Sequence, residues 1–200
     1  MGSTVAVVAV LAAVLIAGVC TATWYDALAR SRDLVREAWR EVDAELRRRH
    51  DLVPDLVRVA RAHLDPQPQV LDDVLAARSD AALPGGDLTD RAAREGRLSA
   101  ALARFFEVAA ASPALRADED FAALRRELTE TEDRVAAGVR FHDGSVRRLN
   151  ARVGSAPSAL VARLFSIRPA GYFGDADPVG SAPEPPATGA GTGAGTGAAG

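Results

Sequence analysis

The densest group of side chains able to do chemistry lies at residues 47–63: Arg47, Arg48, Arg49, His50, Asp51, Asp55, Arg58 and His63. Asp51 and Asp55 are four apart and share one face of a helix, with His50 beside them. This is the best metal-ligating set in the chain, but its register is poor. Zinc ligands on one helix usually follow an H-x3-H spacing, whereas His63 stands 13 residues beyond His50 with Pro54 between them. The plainer expectation is that Asp51 and Asp55 are solvated neighbours of Arg47, Arg48 and Arg58. No metal or cofactor is assigned. Within the arginine run, Asp43 to Arg47 and Glu45 to Arg49 have the i, i+4 spacing of helical ion pairs, so pairing within the helix is expected.

Nothing else assembles into a catalytic pattern. His142 lies on an apolar seam and reads as a buried histidine bonded to a neighbouring helix or a backbone group. No serine stands in a G-x-S-x-G context. Gly85-Gly86 lacks both the lysine and the preceding strand of a phosphate-binding loop. Cys20, the one cysteine, sits in an apolar stretch and can form no intrachain disulfide. The chain is read as not an enzyme, with a metal-dependent hydrolase as the least favoured alternative.

The elements around these residues begin with 25 positions that carry no charged side chain. Residues 4–23 are apolar and long enough to cross a hydrocarbon core of about 30 Å as one helix. Trp24 and Tyr25 follow, the residue types that settle at a membrane interface. A cleavable signal peptide would want a basic n-region, and a lipobox would want Gly or Ala where Val19 precedes Cys20. An uncleaved signal anchor over residues 1–24 is therefore expected. Arg30, Arg32, Arg36 and Arg40 crowd one flank and no basic side chain lies on the other, so the N-terminus is placed outside and the remainder in the cytoplasm, single-pass in the cell membrane. The net charge of -3 and pI near 5.7 argue against nucleic-acid binding. All the basic residues are Arg, which reads as the codon usage of a GC-rich genome.

From Asp26 to about Leu64 the apolar residues Leu28, Val35, Trp39, Val42, Leu46, Val53, Leu56 and Ala60 form a narrow helical stripe, interrupted at Arg49. Pro54 falls inside it and predicts a kink at residues 49–53. Asp65-Pro66-Gln67-Pro68 ends this helix. Further helices are expected over residues 69–82 and 87–111, separated by Pro84-Gly85-Gly86, and over 121–153, after Ser112-Pro113 and an acidic start. The last helix has heptad-like spacing, with coiled-coil character and small seam residues such as Gly138. No strand pattern appears. The fold class is all-α: a single transmembrane helix, then an antiparallel helical bundle over residues 25–174 with long first and last helices. Residues 175–200 read as a disordered Gly/Ala/Pro-rich tail.

The segment from Tyr25 resembles the LemA family. Its run "xAWxxVDxxLxRRxDLxPxLV" is matched by Ala38, Trp39, Val42, Asp43, Leu46, Arg48, Arg49, Asp51, Leu52, Pro54, Leu56 and Val57. Phe121, Leu124, Leu128, Thr131, Glu132, Arg134 and Val135 fit a second family run, and Pro157, Ala162, Phe165, Tyr172 and Phe173 a closing one. The chain departs from the pattern at residues 65–86, at His142-Asp143 and Leu149-Asn150, where the family tends to place Tyr-Asn pairs, and at Ser166, where glycine is more usual. The resemblance implies a bacterial membrane-anchored helical bundle without an established reaction.

The function expected is that of a non-catalytic scaffold or adaptor holding a membrane or cytoplasmic protein at the cytoplasmic face. The contact surface is placed at Arg48, Arg49, Asp51, Pro54 and Val57, where the motif is densest and a proline exposes carbonyls. The alternative is a structural homo-oligomer, for which Gly18 and Ala22, and Ala9, Ala13 and Ala17, give small-xxx-small spacings in the span.

Overall fold

The structure, a computed structural model, describes residues 2–63 and 68–174. Six helices follow one another: α1 (Gly2–Arg61), α2 (Pro68–Ala81), α3 (Leu88–Ala111), α4 (Pro113–Arg116), α5 (Glu119–Gly154) and α6 (Ser158–Leu164). No strand occurs among the described residues. The proline-rich break at 65–67 and the tail at 175–200 lie outside them.

The apolar N-terminal stretch and the first bundle helix are one element. α1 has 60 residues, about 90 Å of continuous helix. It is the one described helix long and apolar enough to cross a membrane, by length and composition. Its apolar window is wholly exposed, and packing begins at Leu28. The Thr21 and Thr23 hydroxyls donate to the carbonyls of Ala17 and Cys20, both at 2.8 Å. These polar groups are thus satisfied without water, as a hydrocarbon setting requires.

α1 ascends, α2 returns, α3 ascends and α5 descends. On α5 the partners of α1 run backward, from Arg48 with Glu127, through Glu45 with Arg134, to Ala27 with Arg152. Side-chain oxygens hold the helix starts. Asp87 accepts from the Asp90 amide and Asp118 from the Phe121 amide, each at 2.8 Å. At Ser112-Pro113, expected only as a break, Ser112 caps the short α4 with Pro113 in its first turn.

Two apolar cores result. The far one gathers Val53, Leu56, Leu71, Val74, Leu98, Leu102, Phe105, Phe121 and Leu128 from four helices. The near one, beside the apolar stretch, gathers Leu28, Val35, Val146, Leu149, Val161, Ala162 and Ile167. Between them α1 and α5 approach closely: a Cβ built on Gly138 would lie 3.0 Å from Val42 Cγ2. Glycine at that seam position lets the two long helices meet.

Two expectations about α1 are corrected, the carbonyl left exposed by Pro54 and the interruption of the stripe at Arg49. Helix runs unbroken through Pro54. Proline cannot donate to the carbonyl four residues back, which is that of His50. Arg78 Nε on α2 donates to that oxygen instead, at 3.0 Å. The freed carbonyl is satisfied from within the bundle and is not offered to a partner. Nor does Arg49 interrupt the stripe. Val42, Leu46, Arg49, Val53, Leu56 and Ala60 are all buried, in alternating steps of four and three, so Arg49 occupies a seam position.

Candidate functional site

A guanidinium in a helix seam needs carboxylates facing it, because an unpaired buried charge is prohibitively costly. Arg49 is 4% exposed and Glu95, on α3, 5%. Arg49 Nη1 donates to Glu95 Oε2 at 3.1 Å, and Nη2 donates to Ser99 Oγ at 2.7 Å and Glu132 Oε1 at 2.9 Å. His50 Nε2 lies 2.7 Å from Glu95 Oε1, so one buried carboxylate binds two consecutive residues of α1. Three helices meet on this cluster. The expected Glu45–Arg49 pair is absent, because Arg49 turns inward and Glu45 pairs with Arg134 of α5 at 2.9 Å. The expected Asp43–Arg47 pair is present at 2.5 Å.

Above Arg49 lies a groove of about 410 Å³. It exists because the α3 and α5 backbones do not pack closely against each other there, unlike α1 with α5 or α2 with α3. Leu102, Ala103 and Phe106 line the α3 side, and Val135 and Ala136 the α5 side, with Ser99 and Glu132 beside the arginine. Two hydrogen-bonding positions remain open to the groove. Arg49 Nε is not one of them, being sealed from solvent and without a partner among the described residues. The exposed Ser99 hydroxyl, engaged there only as an acceptor, keeps its proton to donate. Glu132 is half-exposed, and only its Oε1 is engaged among the described residues. The groove therefore offers one donor, one acceptor and apolar walls. It holds no nucleophile–base pair: His50 faces Glu95, and the Ser99 hydroxyl accepts from Arg49.

The residues expected to form a partner surface do not all lie on the surface. Arg49 and Val57 are buried, whereas Arg48, Asp51 and Pro54 are exposed. Arg48 reaches Glu127 of α5 at 2.8 Å, and that hydrogen bond raises its pKa above the ordinary arginine value. The best metal-ligating set is likewise dispersed: His50 turns to Glu95, Asp55 to Arg58, and His63 lies 3.0 Å from Asp118. Among the described residues no three His, Cys, Asp or Glu side chains gather as a metal site. The Asp118 carboxyl is held below its usual range, first by the Phe121 amide it caps and then by His63.

His142 is buried as expected, but its polar contact is to Asp143 on its own helix, at 3.0 Å, and its ring meets Trp39 of α1 edge-on. Asp143 and Asn150, the second residues of the two pairs set against the family's Tyr-Asn pairs, both hold backbone. Asn150 exchanges two 2.9 Å hydrogen bonds with the Ala170 backbone. Asp143 accepts from the Phe173 amide at 3.1 Å. Together they strap the chain after α6 along α5, bringing Phe173 to 5.6 Å from Trp39. At Ser166 the backbone has φ of +53°, left-handed, which accounts for glycine's preference there. Trp24 and Tyr25 are exposed.

Glu95, Glu132 and Arg78 were missed as site residues. For Glu95 the signal was available: Leu88, Glu95, Leu98, Leu102 and Phe105 keep one helical stripe, so an acid occupies a seam position on α3 as Arg49 does on α1. Arg78 could not be found this way, because its partner is a backbone oxygen.

A comparison with curated proteins finds no match. The family model for the LemA family matches residues 38–184, from the helix carrying Trp39, Arg49 and Pro54 to beyond the strap, well over half of the sequence, and the chain belongs to the LemA family.

Proposed function

We propose that this chain is a membrane-tethered, non-catalytic scaffold that receives a protein partner in the groove between α3 and α5. The observation that carries the reading is the open floor of that groove: the exposed Ser99 hydroxyl, which among the described residues only accepts, beside a half-exposed Glu132 carboxylate oxygen without a donor. A peptide unit supplies both complements, a carbonyl and an N–H, while an apolar side chain fills the walls. Anionic ligands are disfavoured, because Arg49 is already outnumbered by Glu95 and Glu132. The apolar start of α1 provides the tether, and the arginines after it orient the bundle toward the cytoplasm by the positive-inside rule. Loss of partner on changing Arg49 would be uninformative, since that change leaves the buried Glu95 with His50 alone. The groove must be tested from its wall.

The test uses full-length chain isolated from membranes. Val135→Trp fills the groove, and Asp51→Trp enlarges the exposed face of α1 without touching it. Co-isolation lost with Val135→Trp and kept with Asp51→Trp, at unchanged far-UV circular dichroism, supports the groove. The reverse places the partner on the outer face of α1. The second reading, a homo-oligomer through the span, rests on the Gly18/Ala22 spacing and on exposed Cys20. Efficient Cys20 disulfide crosslinking of two copies would favour it.

A further inference from the structure

Outside the apolar N-terminal stretch, exposed large apolar side chains concentrate at one end of the bundle. On α6, Leu160 is 70% and Leu164 73% exposed, and Phe165 just after it is 48% exposed. Leu160 and Leu164 are four apart on one stripe, while Val161 and Ala162 turn into the near core. The helix is therefore apolar on both faces, with only the inner one covered. The outer face lies where the apolar stretch ends. The Phe165 and Tyr25 rings stand 4.6 Å apart, and Arg152, at the end of α5, donates to the Ala27 carbonyl at 3.0 Å.

The charge there matches the position. Residues 144–174 contain five arginines and no acidic residue, in a chain of net charge -3. Arg163 and Arg168 are exposed and have no acidic partner among the described residues. The Arg47–Arg49 run lies about 35 Å or more beyond the apolar stretch along α1, far past a Debye length of about 8–10 Å. α6 lies at that stretch's end.

We infer that α6 is a second membrane contact: Leu160, Leu164 and Phe165 insert into the interfacial region of an anionic bilayer, and Arg163 and Arg168 meet lipid phosphates. An exposed apolar stripe flanked by arginine is the composition of an interfacial helix. Seven residues would bind weakly alone, but the span holds α6 at the surface, so its contact is effectively intramolecular. Docking it would fix the tilt of the bundle, and hence the height at which the groove is presented. The inference rests on the membrane-tether reading above.

The test uses full-length chain with Cys20→Ser and one labelled cysteine, introduced by Leu160→Cys, Leu83→Cys or Val10→Cys. The fluorophore is read in phosphatidylcholine/phosphatidylglycerol vesicles carrying spin-labelled lipid. Lipid should quench the labels at 160 and 10 but not at 83, and quenching at 160 should fall with phosphatidylglycerol omitted or with Arg163→Gln/Arg168→Gln. Position 10 quenched with 160 as unaffected as 83 would overturn the α6 contact and leave the tether standing. Position 10 unquenched would overturn both.

Discussion

Around Phe105 five helices close on a shared apolar centre, the short α4 through Leu115, whereas around Leu28, among the described residues, α1, α5 and the seven-residue α6 do, with the strap after α6 adding Ile167, Ala170 and Tyr172. The far end is closed by helix packing and keyed by a buried charge cluster. The near end is closed by short segments pinned through single side chains, Asn150, Asp143 and Arg152. The difference concerns what each end faces. The far end gathers its polar groups beneath a groove, while the near end leaves apolar groups uncovered beside the apolar stretch. One long helix serves both.

The largest expected effect breaks the far end. Glu95→Leu removes the buried partner of both Arg49 and His50, leaving Arg49 only Ser99 and the half-exposed Glu132, and should cost about 3–5 kcal/mol, measured by denaturant unfolding. Adding Arg49→Met should recover part of that loss, because the under-paired charge is removed while buried His50 still lacks its partner. Hydrogen exchange should rise first in α2 and α3, with α6 and the strap less affected. Equal acceleration at both ends would mean the cores unfold as one.

A pH titration acts at the far tip. The folded Asp118 carboxyl lies below its usual value, so its contribution is present above about pH 4 and is lost as pH falls through the lowered folded value. Asp118→Asn keeps a capping oxygen but cannot titrate. Its stability should decline less steeply below about pH 4 than that of the parent chain, as read from denaturant midpoints. The smallest effect sharpens the near end. Ser166→Gly relieves a left-handed serine and should add about 0.5–1 kcal/mol, since the conformational cost it removes slightly exceeds the glycine entropy it adds. Exchange should slow in α6 and the strap, with α2 and α3 unchanged.

The helices were legible in the sequence because each carries its own period and its own stops. Apart from Arg49, the stripe from Leu28 to Ala60 is legible, as are the Pro84-Gly85-Gly86 break and the glycine at 138. The site was legible in part. Arg49 was singled out, but its side was misjudged, because a charge in a stripe looks like an interruption until the opposing seam is seen to carry Glu95. Arg78 on the His50 carbonyl was illegible: only tertiary structure brings a side chain to an oxygen that a proline has freed. The strap was invisible for the same reason, since Asn150 and Asp143 bind backbone and have no periodic counterpart. Leu160 and Leu164 could be read as apolar, but not as pointing outward, until Val161 and Ala162 were placed in the core.

A photoreactive side chain placed in the full-length chain in native membranes, once at Ala103 in the groove and once at Leu160 on α6, compares the two ends most directly. Illumination should join Ala103 to a protein and Leu160 to phospholipid. Lipid adducts from Ala103, or protein adducts alone from Leu160, would contradict the division of the bundle into a membrane-facing end and a partner-facing one.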